Sequence, residues 1–205
     1  MYQAQKGRYK IFMIAIIKYK AGNTASVANA LDRLNAEYFF AETPEQLEHA
    51  EAVIFPGVGH ASSAMESLQK KGVDEWLKNT QKPVLGICVG MQLFFESSSE
   101  GDTKGLGVIP GRLQKFDETQ DKVPHMGLNR IEVTKSHPIL KNVLPENYLY
   151  FVHSDYAPVI EYTLASCTYI NHFSAIVAKN NYIGVQFHPE KSGKVGSLIL
   201  QNFLT

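Results

Sequence analysis

Through the first half of the chain, short apolar runs alternate with segments of helical periodicity, and no other feature constrains the fold as tightly. Ile11–Ile17 is a continuous, β-branched apolar run, the pattern of a strand buried on both faces. Ala21-Gly22-Asn23-Thr24 supplies a turn and cap, after which Val27, Ala30, Leu31 and Leu34 recur at helical spacing. Glu37–Ala41 reads as a second strand, and Thr43-Pro44-Glu45 opens a helix with proline at its first position. Ala52–Phe55 is a third strand, ended by Pro56-Gly57-Val58-Gly59. Val73, Trp76 and Leu77 share a helical face, Pro83–Ile87 is a fourth strand, and Met91–Glu96 begins a helix. Such alternation implies a parallel sheet with helices on both faces.

The second half is strand-rich. Leu113–Phe116, Asn129–Thr134, Tyr148–Val152, Ala175–Lys179 and Ile183–Phe187 read as strands, Asn180-Asn181 as a hairpin turn, and Val195–Phe203 as a closing helix. There is no internal repeat or linker. A length of 205 residues then suits one α/β domain, with a mixed, mostly parallel central sheet flanked by helices.

Composition excludes several classes of function. A chain with 44% hydrophobic and 20% charged residues does not read as disordered. Twenty basic residues against twenty acidic ones leave no excess to neutralise a phosphate backbone, so no nucleic-acid partner is expected. No apolar run approaches the roughly 18 residues of a membrane span. The basic start before Ile11 lacks the small-residue cleavage site of a signal peptide. Two cysteines make no disulfide framework and suit a reducing compartment, so a cytoplasmic location is expected.

Chemistry concentrates at Gly86-Ile87-Cys88-Val89-Gly90, between a strand and a helix. A sharp turn there would raise the cysteine above the sheet, and the flanking glycines would avoid collisions with neighbouring backbone. The sulfur would sit at a helix N-terminus, which favours the thiolate, and the Val89 amide could stabilise an oxyanion. A buried structural cysteine with glycines for close packing fits the same pattern. Cys167 has no flanking glycines and reads as a packed or partly exposed thiol.

A cysteine nucleophile needs a histidine base and a group to orient it. His188-Pro189-Glu190 ends one strand and His153-Ser154-Asp155 ends another, with the same spacing, so spacing alone does not choose between them. Either pair could instead be a solvated His–carboxylate contact. No histidine pair lies four residues apart and no Cys/His cluster occurs, so no metal site is expected. Pro56-Gly57-Val58-Gly59 could bring backbone amides to an oxyanion or serve as an ordinary turn, and it lacks the Gly-Lys-Ser/Thr ending of a phosphate loop.

Pro56-Gly57-Val58-Gly59, Gly86-Ile87-Cys88-Val89-Gly90-Met91-Gln92 and Phe187-His188-Pro189-Glu190, in this order, resemble the class I, or triad, glutamine amidotransferase domain. Four further motifs are similar to the glutaminase subunits of imidazole glycerol phosphate synthases. These are Ala21-Gly22-Asn23, Val123-Pro124-His125-Met126-Gly127-x-Asn129, Tyr150-Phe151-Val152-His153-Ser154 and Lys191-Ser192-Gly193. The resemblance runs over 13–205, leaving 1–12 as an N-terminal extension or expression remnant.

The resemblance implies Cys88 as nucleophile, His188 as acid and base, and Glu190 as its orienter. It implies Gly57, Val58 and Val89 at the oxyanion hole, and Gln92, Glu100, Tyr150 and Ser154 around L-glutamine. Asn23, His125, Met126, Leu128, Asn129 and Lys191 would meet a (βα)8-barrel cyclase subunit that consumes the ammonia, and no cofactor is implied. A glutaminase serving another acceptor, such as a pyridoxal phosphate synthase, and a non-catalytic interaction subunit are the alternatives. Lys18, Lys20, Leu128 and Asp155 depart from the family pattern, which more often has Asp, Gly, Trp and Tyr there. None of the four belongs to the implied triad.

Overall fold

Residues 13–19 and 23–205 are described by the computed structural model. The expected extension over 1–12, the Ile11-Phe12 start of the first apolar run and the Lys20-Ala21-Gly22 part of the following turn lie outside them.

The alternation of the first half becomes β1 (Ile14–Ile17), α1 (Thr24–Arg33), β2 (Tyr38–Ala41), α2 (Pro44–Leu47), β3 (Ala52–Phe55), α3 (Ala61–Gln69), α4 (Val73–Asn79), β4 (Val84–Ile87) and the single turn α5 (Val89–Gln92). Every residue of β1, β3 and β4 is buried, as apolar runs must be in a sheet covered on both faces. Val27, Ala30 and Leu31 form the buried stripe of α1. Thr43 and Gln46 close a capping box at the start of α2, with Pro44 in its first turn.

The second half contributes β5 (Phe95–Ser98), β6 (Ile109–Lys115), β7 (His125–Arg130), β8 (Glu132–Val133), β9 (Tyr148–His153), β10 (Asp155–Tyr156), β11 (Thr163–Thr168), β12 (His172–Lys179), β13 (Tyr182–Val185) and α6 (Gly193–Phe203). The main sheet has the order β2-β1-β3-β4-β13-β12-β11-β8. It is parallel from β2 to β13 and antiparallel beyond. Asn180-Asn181 does link β12 to β13, with Asn180 at φ 54°. The ribbon β7–β9 and the small sheet β10-β6-β5 complete the fold. One apolar core runs through both halves, with Phe55, Phe94, Phe151, Phe173 and Phe187 fully buried.

Two expectations need correction. The helix expected over Met91–Glu96 ends at Gln92, because Phe95–Ser98 is drawn into pairing with β6, a contact distant in sequence. The strand expected over Asn129–Thr134 is two strands in different sheets, β7 against β9 and β8 against β11.

Glycines decide how closely α5 approaches the sheet. Gly86 of β4 and Gly184 of β13 are paired in register. A Cβ on Gly86 would lie 2.7 Å from the Gly90 carbonyl carbon, and one on Gly184 would lie 2.6 Å from Met91 Cγ. A Cβ on Gly90 would lie 2.0 Å from the Phe55 carbonyl oxygen, where only backbone movement could relieve it. Gly90→Ala is therefore expected to cost about 1–3 kcal/mol or more of stability, read as a lowered urea midpoint.

Candidate active site

Cys88 joins β4 to α5 with φ 53° and ψ −108°. A non-glycine residue held there stores strain on the order of 1–3 kcal/mol. Its amide donates to the Val185 carbonyl at 2.8 Å and its carbonyl accepts from Gln92 N at 3.0 Å, so the turn is fastened from both sides. This is the reversal expected of a nucleophile turn, and glycine is sterically required at both flanks. The helix behind it is one turn long, so fewer aligned peptide dipoles stand behind the sulfur than the sequence suggested.

His188 follows β13, which pairs with β4, so sheet register brings it to Cys88 across 100 residues of sequence. Its amide donates to the Tyr150 carbonyl at 2.8 Å, and Ser192 Oγ donates to its carbonyl at 2.7 Å. His188 Nδ1 lies 2.8 Å from Glu190 Oε1, both side chains being almost wholly buried. A carboxylate only accepts, so Nδ1 carries the proton. His188 Nε2 is buried and has no hydrogen-bond partner among the described residues. Burial opposes charge on this imidazole, but the Cys88 sulfur and the Glu190 carboxylate outweigh it and push its pKa up to about 9.

His153 has the opposite surroundings. Its Nδ1 donates to the Asp155 carbonyl at 2.8 Å, so its Nε2 is the acceptor for His125 Nδ1 at 3.1 Å. Asn129 Nδ2 then reaches His125 Nε2 at 3.4 Å. Burial pushes His153 down to about 3 and His125 down to about 4, so both imidazoles are neutral at physiological pH. With both ring nitrogens engaged, His153 has none to offer a substrate, whereas His188 has one. Asp155 directs Oδ1 to Ser99 Oγ at 2.6 Å, and Glu190 directs Oε1 to an imidazole. The two pairs that spacing left equal are thus separated by their neighbours.

Cys88 and His188 line one cavity of about 390 Å³ with Val58, Val89, Gln92, Glu100 and Ser154. Gly57 lies behind its wall: a Cβ there would meet Gly90 N and Val89 Cβ at 2.6 Å, which fixes the Pro56–Gly59 loop against the turn. The Gly57 and Val58 amides make no backbone hydrogen bond among the described residues, and the Val89 amide is the first of α5. Gln92 Nε2 is committed to the Asp155 carbonyl and to Gln186 Oε1, which leaves Gln92 Oε1 for a ligand. Glu100 Oε2 accepts from the Ala61 amide at 2.7 Å at the start of α3. Tyr150 is not among the residues lining the cavity; its ring stands beside His188, 6.5 Å between centroids.

Strand β7 sorts the expected partner-facing residues. Met126 and Leu128 are 67% and 64% exposed, while His125 is 4% exposed and stacks on Phe151 and Tyr169. His125 is therefore an interior residue rather than a surface one, because successive side chains of a strand point to opposite faces. Asn129 is half-buried, Asn23 stands at the N-cap position of α1 without a side-chain capping bond, and Lys191 is exposed with its ammonium 5.8 Å from the Tyr150 ring centroid. Cys167 is buried in β11, and burial pushes its thiol up to about 12. No group of three or more His, Cys, Asp or Glu among the described residues could hold a metal ion. Sequence reasoning passed over Gln186, a fully buried amide two residues before His188, although a polar residue ending an apolar strand is a legible signal.

A family model described as glutamine amidotransferase class-I matches residues 15–205. The chain is 46% identical over 193 residues to a Bacteroides thetaiotaomicron protein named imidazole glycerol phosphate synthase subunit HisH, covering 93% of this chain and 98% of that one. A protein of the same name from Nitratidesulfovibrio vulgaris is 46% identical over 202 residues, with 93% and 95% covered. A crystal structure titled glutamine amidotransferase superposes with a TM-score of 0.73 at 18% identity, covering 94% of this chain and 97% of that one. The structure of PurLQS from Thermotoga maritima gives a TM-score of 0.69 at 17% identity, with 94% and 97% covered. At such identities the structural matches speak to the fold.

The histidine environments set a pH dependence. An unfolded imidazole takes its proton near pH 6.5, whereas folded His153 takes one only near pH 3. The unfolded chain thus binds more protons between these values, so this contribution to stability is complete above about pH 6.5 and is lost as pH falls toward 3. His153→Gln is expected to flatten the acid limb, seen as a smaller drop in urea midpoint than in the wild type over about pH 6.5 to 4.

Proposed function

This chain belongs to the class-I glutamine amidotransferase family, and we propose that it is the glutaminase subunit of an imidazole glycerol phosphate synthase, releasing ammonia from L-glutamine for histidine biosynthesis. The observation that carries the chemistry is the free, buried Nε2 of His188, held by Glu190 and sharing a cavity with Cys88. The glutaminase domain spans 13–205.

Cys88 as thiolate attacks the side-chain amide carbon of glutamine. A sulfur–carbon bond forms, and the carbonyl oxygen takes up negative charge where the Val58 and Val89 amides, backed by Gly57, can meet it. As the carbon–nitrogen bond breaks, the leaving nitrogen takes the His188 Nε2 proton and departs as ammonia. Water then attacks the glutamyl thioester, giving a proton to Nε2, and the expelled thiolate restores the starting pair. Glu190 accepts from Nδ1–H throughout and stabilises the imidazolium. A histidine pushed up to about 9 remains protonated at neutral pH, so the proton for the leaving group is in place before attack. Glu100 offers a carboxylate to the substrate's ammonium, while Gln92 Oε1 and Ser154 offer polar contacts. Tyr150 acts through its packing beside His188. No step uses a cofactor or metal.

Ammonia freed in water is soon protonated and ceases to be a nucleophile, so its consumer must dock closely and exclude water. We assign that role to a (βα)8-barrel cyclase subunit, docking where Met126 and Leu128 stand exposed and meeting Asn23, Asn129 and Lys191 as well, with His125 supporting this face from inside. Exposed apolar side chains grouped on one strand face mark an interaction site. No helix among the described residues is long and apolar enough to cross a membrane, both cysteines are free, and a cytoplasmic location fits.

Glutamate release, measured with and without the cyclase subunit and its nucleotide ligand, tests this reading. Folded protein that releases none under either condition overturns it. Cys88→Ala is expected to lower the rate by about 10³-fold or more. Met126→Asp with Leu128→Asp is expected to weaken subunit association by about tenfold or more, as measured by sedimentation, without changing the unfolding midpoint of the isolated chain.

A further inference from the structure

Gln186 directly follows β13 on the way into the site, fully buried, where a leucine or methionine would fill the space without the cost of burying an amide. Both ends of that amide are occupied. Gln92 Nε2, a donor only, lies 3.2 Å from Gln186 Oε1 and is itself held by the Asp155 carbonyl at 3.0 Å. This fixes which way the Gln186 amide points. Its Nε2 is thereby turned to Cys88 Sγ, at 3.7 Å.

Resting on the glutaminase reading, we infer that Gln186 is a further catalytic residue, donating a hydrogen bond to the Cys88 sulfur that favours the thiolate and fixes its position for attack. The sulfur has two such neighbours of opposite kind. A neutral thiol can donate to the Val152 carbonyl, also at 3.7 Å, whereas a thiolate gains nothing there and faces the oxygen's lone pairs. Gln186 reverses that preference, since a donor bonds more strongly to an anionic acceptor than to a neutral one. The bond weakens when sulfur enters the thioester and strengthens again when the thiolate is expelled, so it also assists the second half of the reaction. Gln92 is the brace that stops the Gln186 amide from flipping.

The test is the pH profile of Cys88 alkylation by iodoacetamide, which reads thiolate without glutamine or turnover, with a Cys88→Ser protein as the blank for Cys167. Gln186→Met removes the donor at similar volume. Gln186→Glu keeps an acceptor for Gln92 but sets negative charge against the sulfur. In both, alkylation at acidic pH is expected to slow by about tenfold and the midpoint to move to higher pH, further for Gln186→Glu. An unchanged profile in either folded variant overturns the inference. Should wild-type protein release no glutamate, the functional reading falls alone, because the alkylation profile still reports what Gln186 does to the sulfur.

Discussion

The site depends on one backbone contact, the packing of Gly90 against the Phe55 carbonyl. Because no side chain separates them, the single turn α5 lies directly on β3 and β4, and the chain must reverse sharply at Cys88. The strain of that reversal is balanced by bonds to its neighbours on two sides, Val185 and Gln92. The same close approach seats Gly57 against Val89 and Gly90, so the Cys88 turn and the Pro56–Gly59 loop share one fixed junction. A larger residue at any of these glycines would displace the sulfur and the amides together. That is why the local pattern around Cys88 carries information about a loop thirty residues earlier.

Electrostatic surroundings then divide the labour between chemically identical side chains. His153 and His188 are both buried, and burial alone opposes charge on each. His188 faces a carboxylate and a sulfur that take on negative charge, and it holds its proton. His153 faces a carbonyl and another neutral imidazole, and it gives its proton up. The neutral chain from Asn129 through His125 and His153 to the Asp155 carbonyl is therefore a spacer of fixed geometry rather than a proton store. It ends on the carbonyl that also holds Gln92, and so on the brace of the Gln186 amide.

Much of this was legible in the residues, and the reasons differ by element. β1, β3 and β4 announce themselves because strands buried on both faces must be apolar throughout. The Cys88 turn is legible because its steric demands are local and only glycine meets them. β5 and β11 are not, since pairing with distant strands stabilises them and nothing within either segment records the partner. The same limit made Met91–Glu96 read as the start of a helix: its first residues are helical, and its end is β5, held by pairing with β6. Spacing does not choose His188 over His153, because both pairs share it; the family resemblance does, and the atoms around each ring supply the physical reason. Gln186 was overlooked for a simpler reason. One amide beside a His-Pro-Glu triplet looks like strand filler until its two ends are seen to be occupied.

Strand β7 shows how one local pattern serves two requirements. Its alternation sends Met126 and Leu128 outward and His125 inward, so whatever covers the outer face touches the strand that positions the inner histidine. A leucine at 128 keeps that face apolar but supplies no ring to wedge into a partner. A partner docked there, as proposed, would rely on area and shape rather than on one aromatic anchor. Arg130 stacks over Tyr148 further along the same ribbon, 4.6 Å from the ring centroid, extending the exposed surface with a charged margin. An apolar centre with a polar edge is the arrangement expected of the proposed subunit interface.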